Sequence, residues 1–151
     1  MKKLLLIAIL GLLGGYSTCW ANFFDVAQVS STGMAAQRTR MDLIAENIAN
    51  IDTVVTEEGH PYRRQYAILA QGNYNSSMTF EGKQLLRGVK VSKIFKDSTP
   101  FKKVYEPANP YADANGFVDI PNINTVKEMI DMIKVHKKVK VFEYEYQNNY
   151  K

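Results

Sequence analysis

Residues 34–53 read M-A-A-Q-R-T-R-M-D-L-I-A-E-N-I-A-N-I-D-T, and this stretch constrains the chain more than any other. Met34, Met41, Ile44, Ile48 and Ile51 recur at the three-, four- and seven-residue spacing of a helix packing seam. Ala35, Ala45 and Ala49 flank that seam, and short flanks let a second backbone come close. A narrower apolar row, Val29, Ala36 and Leu43, repeats every seventh residue on nearly the opposite side of the helix, at about 100° per residue. A surface helix of a lone globule shows one apolar face. Two faces imply neighbours on both sides, which means either a deeply buried helix or an assembly. Spacing alone serves a core helix of a single domain equally well.

The stretch ends in Asn47-Ile48-Ala49-Asn50-Ile51-Asp52-Thr53. Asn and Asp compete with the helical backbone for hydrogen bonds and tolerate left-handed conformations, so a helix can stop here.

The first 21 residues read as a separate segment. Lys2-Lys3 is a basic n-region, and residues 4–15 are an apolar h-region too short to span a bilayer as a helix. Cys19 and Ala21 put small residues at the −3 and −1 positions of a signal cleavage site before Asn22. Acylation of Cys19 is the competing reading, but Tyr16-Ser17-Thr18 makes a poor lipobox. Removing Lys2 and Lys3 lowers the formal net charge from +4 to +2, which is no nucleic-acid signature. Cys19 is the single cysteine, so the mature chain has no disulfide and must hold together by packing.

Asp25 is a candidate N-cap for a first helix ending near Asn50. Ser30, Ser31, Thr32 and Gly33 are weak helix formers inside it. Arg38, Asp42 and Glu46, four residues apart, suit a charge-paired solvated edge. Residues 62–70 and 88–96 have strand composition, and the polar stretch 71–87 between them reads as a long surface loop or flexible hairpin. Residues 101–106 form a further short strand, and Asn115-Gly116 is a hairpin turn signal leading into Phe117-Val118-Asp119. Asn124 is a good N-cap for a last helix, with Glu128 near its favourable N-terminus. Met129, Met132, Val135, Val139, Phe142 and Tyr146 recur at helical spacing, although residues 139–146 also have a strand-like composition. The fold class expected is α+β: two long terminal helices around a small β-rich module. The segments are 1–21 signal peptide, 22–53 first helix, 54–123 β-rich module with connecting loops, and 124–151 last helix.

The sequence offers little for catalysis. His60 and His136 lack ligand-spaced partners, so neither supports a zinc site. No Gly-rich phosphate loop and no G-x-S-x-G elbow occurs. Asp113-Ala114-Asn115-Gly116 is similar to part of a calcium loop, but Tyr111 and Asn122 fall where the first and twelfth ligands would be, so a turn is expected. The lysines at 134, 137, 138 and 140 suit either a solvated helix face or a patch for an acidic partner.

Residues 105–129 read Y-E-P-A-N-P-Y-A-D-A-N-G-F-V-D-I-P-N-I-N-T-V-K-E-M. This stretch, the Asn47-to-Thr53 signature and the Pro61-Tyr62-Arg63 that follows it resemble the flagellar basal-body rod protein family. The resemblance runs from about Phe24 to Met132 in the right order. It implies a proximal rod subunit whose terminal helices pack in a coiled-coil-like inner layer. Its partners would be copies of itself and other rod proteins, with no enzymatic activity, cofactor, metal, nucleic acid or small-molecule substrate. The chain would be periplasmic in the flagellar basal body and not integral to the membrane. By position, Asn47, Asn50 and Asp52 would shape the exit from the first helix. Tyr105, Pro107, Pro110, Gly116, Pro121 and Asn122 would fix the connection into the second. The assembly seam would comprise Met34, Met41, Ile44 and Ile48, the row Val29, Ala36 and Leu43, and Met129, Met132, Val135 and Val139. Two features set the chain apart: a general-secretion signal, where the family uses the flagellar export channel, and a Lys- and Tyr-rich C-terminal helix in place of a Ser/Ala/Asn-rich one. A secreted, non-polymerising binding module that docks on a cell-envelope partner is the alternative function.

Ordering a helix costs about 1–2 kcal/mol per residue in backbone entropy. Apolar burial returns roughly 25 cal/mol per Å². A lone helical hairpin with one shared seam is therefore expected to lie near balance, so the terminal helices are expected to be largely unfolded in the isolated subunit and to fold only on assembly.

Overall fold

The computed structural model describes residues 17–75 and 85–148. Most of the expected signal segment, part of the expected 71–87 loop and the last three residues lie outside them. Helix α1 (Ser17–Ala49) is followed by strands β1 (Gln65–Asn75) and β2 (Leu85–Lys96), β3 (Lys102–Tyr105) and β4 (Phe117–Ile120), and helix α2 (Thr125–Asn148). β1 pairs antiparallel with β2, and β3 antiparallel with β4, as two separate two-stranded sheets. The class is α+β. The segment 139–146 with two readings is helical.

α1 is helical from Ser17, so Asp25 lies inside it and is not its N-cap. No Pro or Gly between Ser17 and Asp25 interrupts the turn, and the helix runs through Ala21-Asn22. The weak formers at its middle are held by local and tertiary contacts. Ser31 Oγ donates to the Gln28 carbonyl at 2.8 Å and Thr32 Oγ1 to the Val29 carbonyl at 2.7 Å. Thr32 Oγ1 also accepts the Val89 amide of β2 at 3.1 Å. Gly33 lies under the Phe142 ring of α2, where an added Cβ would come within 3.3 Å of Cζ. The small residues are thus the place where β2 and α2 close on α1. Glycine there trades helix propensity for close approach.

The exit from α1 is an ordinary turn. Asn50 Nδ2 caps the Glu46 carbonyl at 2.9 Å, and Thr53 N–H reaches the Asn50 carbonyl at 3.2 Å. Among the described residues no non-glycine adopts positive φ, so the left-handed capacity of Asn is not used. Asn50 acts through its side-chain amide.

β1 and β2 reach well into the stretch expected as loop, with Gly72 paired to Gly88 and Asn75 to Leu85. The Tyr74 ring lies against both glycines, and its hydroxyl donates to the Val89 carbonyl at 3.2 Å. An aromatic covering two paired glycines supplies the packing that their missing side chains cannot. A bulge falls between Ile68 and Leu69. α1 packs on this ribbon and on α2. Residue 33 meets 142 and residue 47 meets 128, so the two helices run antiparallel. Ala36, Leu43, Ile44, Val118, Ile123 and Val135 are the buried apolar core.

Candidate functional site

Asn47 lies one turn from the end of α1 with no exposed surface. Its side-chain amide uses its whole hydrogen-bonding capacity. Nδ2 donates to the Gln65 carbonyl at 2.8 Å and to Glu128 Oε2 at 3.3 Å. Oδ1 accepts the Gln65 amide at 2.8 Å and the Tyr62 hydroxyl at 3.2 Å. One side chain therefore joins α1, the start of β1 and the first turn of α2. Burial is the main cause that pushes the Tyr62 hydroxyl above its usual pKa.

Glu128 is also without exposed surface. Its partner is Arg64, whose Nε lies 2.6 Å from Oε1. Arg64 also approaches Asp97 Oδ2 at 3.8 Å. Burying the Glu128 carboxylate against the half-buried Arg64 costs several kcal/mol of desolvation, and such a pair is tolerated where further hydrogen bonds complete it. Asn47 completes Glu128. Asn122 completes the neighbouring strand: its Oδ1 accepts Arg64 N–H at 2.9 Å and its Nδ2 donates to Thr99 Oγ1 at 2.7 Å. Arg63 reaches the Asp97 and Thr99 carbonyls at 2.8 and 2.9 Å and stacks 4.2 Å from the Phe101 ring centroid. The Thr99 amide N–H holds the Asp97 carboxyl below the usual carboxylate range; the Thr99 hydroxyl and the Arg64 charge add to this against the opposing effect of burial.

The β3–β4 hairpin is built by the remaining motif residues. Gly116 has φ +80°, and a Cβ there would meet Tyr105 Cε2 at 2.9 Å and Pro107 Cβ at 3.2 Å. Tyr105 and Phe117 stack edge to face with centroids 5.4 Å apart. Asp113 Oδ1 accepts the amides of Phe117 and Asn115 at 3.0 and 2.8 Å, which pull its carboxyl below the usual range. This carboxylate is a turn-former. Pro107 and Pro110 are exposed, and Pro121 is buried just before Asn122.

The expected seam residues divide by burial. Ala36, Leu43, Ile44 and Val135 are core residues, so Ala36 and Leu43 are taken up inside the subunit. Two of the three residues of the row predicted for a neighbour are covered by the chain's own elements. Val29, Met34, Met41, Ile48, Met132 and Val139 are half-buried, and Met129 is exposed. Asn50 is half-buried and Asp52 exposed. No ion pair links Arg38, Asp42 and Glu46, so the expected charge-paired edge is absent from the described residues.

Sequence reasoning missed Tyr62, Arg64, Gln65 and Asp97 as junction residues, and read Glu128 only as a complement to the helix dipole. The available signal was the sequence position of Tyr62 and Glu128 inside motifs that otherwise had no structural job.

The geometry is that of a structural clamp between α1, the start of β1 and α2. The family model described as flagella basal body rod protein matches residues 28–54. The flagellar basal-body rod protein FlgC of Borreliella burgdorferi is 40% identical over 126 residues, covering 76% of this chain and 82% of the relative. The FlgC of Bacillus subtilis is 41% identical over 120 residues, 73% and 79% of the two chains. That of Salmonella typhimurium is 36% identical over 116 residues, 77% and 79%. The chain belongs to the FlgC family of flagellar basal-body rod proteins. In this rod protein the family-matched stretch covers most of the packed part of α1 and ends just past its exit, so it contains Asn47. Among the described residues no group of three or more His, Cys, Asp or Glu is placed to hold a metal, and no helix is long and apolar enough to cross a membrane.

Proposed function

We propose that this chain is a structural subunit of the proximal flagellar rod that polymerises through its terminal helices, with no catalytic step. The observation that carries the reading is the buried clamp of Asn47, Arg64 and Glu128, which locks the exit of α1 to the entry of α2. A clamp at that point makes the two helices one antiparallel unit that can pack against others as a coiled-coil-like pair. Its partners are copies of itself and other rod proteins, and its place is the periplasmic part of the basal body. The signal segment is removed before Asn22, which leaves α1 as residues 22–49. The secreted-module alternative has less support, because the relatives are rod proteins matched over most of their length.

The test is to isolate basal bodies from cells carrying an epitope-tagged copy. The tagged chain is expected in the rod-containing fraction after detergent and alkaline washing. A chain found only in the soluble periplasmic fraction would support the binding-module reading instead.

A further inference from the structure

α2 turns a second apolar row to solvent. Val126, Met129, Ile130, Ile133, Val141 and Tyr144 are between 47% and 67% exposed. At about 100° per residue, Val126, Ile133 and Tyr144 lie opposite Glu128, Val135 and Phe142, the inward side of α2. Lys137 and Lys140 share the outer row, are exposed, and have no ion-pair partner among the described residues.

The outer face of α1 complements this row in charge and size. Ala35, Arg38, Asp42, Ala45, Glu46 and Ala49 are all exposed on the side away from Ala36 and Leu43. Asp42 and Glu46 make no ion pair among the described residues. One face of the chain thus carries lysines with no ion-pair partner among the described residues, set among large apolar side chains. Another carries two carboxylates likewise unpaired among the described residues, set among alanines and Arg38. Both belong to the same chain.

We propose that the outer row of α2 seats on the outer face of α1 of a second copy of this chain. This rests on the rod-subunit reading and specifies the contact. The two surfaces differ, so the contact is head-to-tail and adds copies without closing on a two-fold axis. Copies facing the same way bring α2 beside the next α1 in antiparallel fashion, as within the subunit. In that direction, a register with Lys140 opposite Asp42 sets Ile133 opposite Ala49 and Tyr144 opposite Arg38. Lys137 then lies beside Ala45 and Glu46. The apolar row supplies burial, and the charges select partner and direction.

The experiment uses two full-length copies with different tags, both Cys19→Ser, co-expressed in cells that build flagella. One carries Ile133→Cys and the other Ala49→Cys. Mild oxidation is expected to give a disulfide-linked species containing both tags, enriched in isolated basal bodies. The control pair, Asn115→Cys with Ala49→Cys, should give none. Lys140→Glu in the first copy should abolish the mixed-tag band, and Asp42→Lys in the second should restore it. If both tags are present in basal bodies but no mixed-tag species forms, or Ile133→Cys links only to a different rod protein, the proposal falls and the rod reading stands. If neither tag reaches basal bodies, both fall.

Discussion

Arg64 Nε lies 2.6 Å from Glu128 Oε1, and the carboxylate it meets has no exposed surface. The two residues are 64 positions apart, yet together they join the residue just before β1 to the first turn of α2. Removing Arg64 leaves the Glu128 carboxylate uncompensated in a site closed to water, and removing Glu128 takes away the close partner of Arg64 and an acceptor of the buried Asn47 amide. Glu128→Ala is therefore expected to destabilise the folded chain by about 3–5 kcal/mol. Arg64→Met combined with Glu128→Met should recover most of that loss, because neither charge remains. Urea unfolding of the single and double variants measures both. Equal stability of Glu128→Ala and the parent chain would show that the pair does not hold the helices.

Asp97 gives the junction a pH dependence with a definite sign. Its carboxyl sits below the ordinary value of 3.8 in the folded chain, chiefly through the Thr99 amide. A depressed folded value means that the unfolded chain binds the proton more readily. The stabilisation is full above the unfolded value and fades as pH falls from there through the folded value. Unfolding midpoints measured from pH 6 down to about pH 2 should fall less steeply for Asp97→Asn than for the parent chain. Parallel curves would remove Asp97 from the account.

Gly116 is held at φ +80° under the Tyr105 ring. Gly116→Ala puts a methyl group at 2.9 Å from that ring and strains the backbone, a cost of about 1–3 kcal/mol. The damage should stay within the β3–β4 hairpin. NMR amide shifts are expected to move at residues 105–118, with those of Asn47, Gln65 and Glu128 unchanged.

The parts of this fold legible in the sequence are those fixed by near neighbours. The Asn124 cap is one: its Oδ1 accepts the Lys127 amide at 3.1 Å, three residues on. The turn at Asn115-Gly116 and the end of α1 near Asn50 are others. The junction was not legible, because Asn47, Arg64, Asn122 and Glu128 meet only after the chain has folded back on itself. Asn47 and Asn122 were visible only as motif letters, Glu128 as a complement to the helix dipole, and Arg64 lay outside every motif. The extension of β1 and β2 was hidden for a different reason. Gly72, Asn73 and Gly88 have poor strand character, and it is Tyr74 lying across the glycines that makes the pairing work. Likewise Ser30 to Gly33 looked like a weak half-helix, while in the structure the small side chains admit Val89 and Phe142. The expectation of a marginal helical hairpin counted one shared seam and left out both the junction and the ribbon packed on α1.

The signal segment is testable apart from the fold. Cys19 and Ala21 would place the proposed cleavage before Asn22, inside the span that is helical in the full chain. Amino-terminal sequencing of the protein recovered from the cell envelope should begin Asn-Phe-Phe-Asp. A chain that retains Met1 in assembled basal bodies would show that the segment stays attached.

The central claim is that this chain builds the rod, and the most direct measurement is to delete its gene and image what remains. Electron microscopy of basal bodies from the deletion strain is expected to show membrane rings without a rod, in non-motile cells. A plasmid copy of the parent chain should restore both rod and swimming. Complete rods and normal motility in the deletion strain would contradict the account.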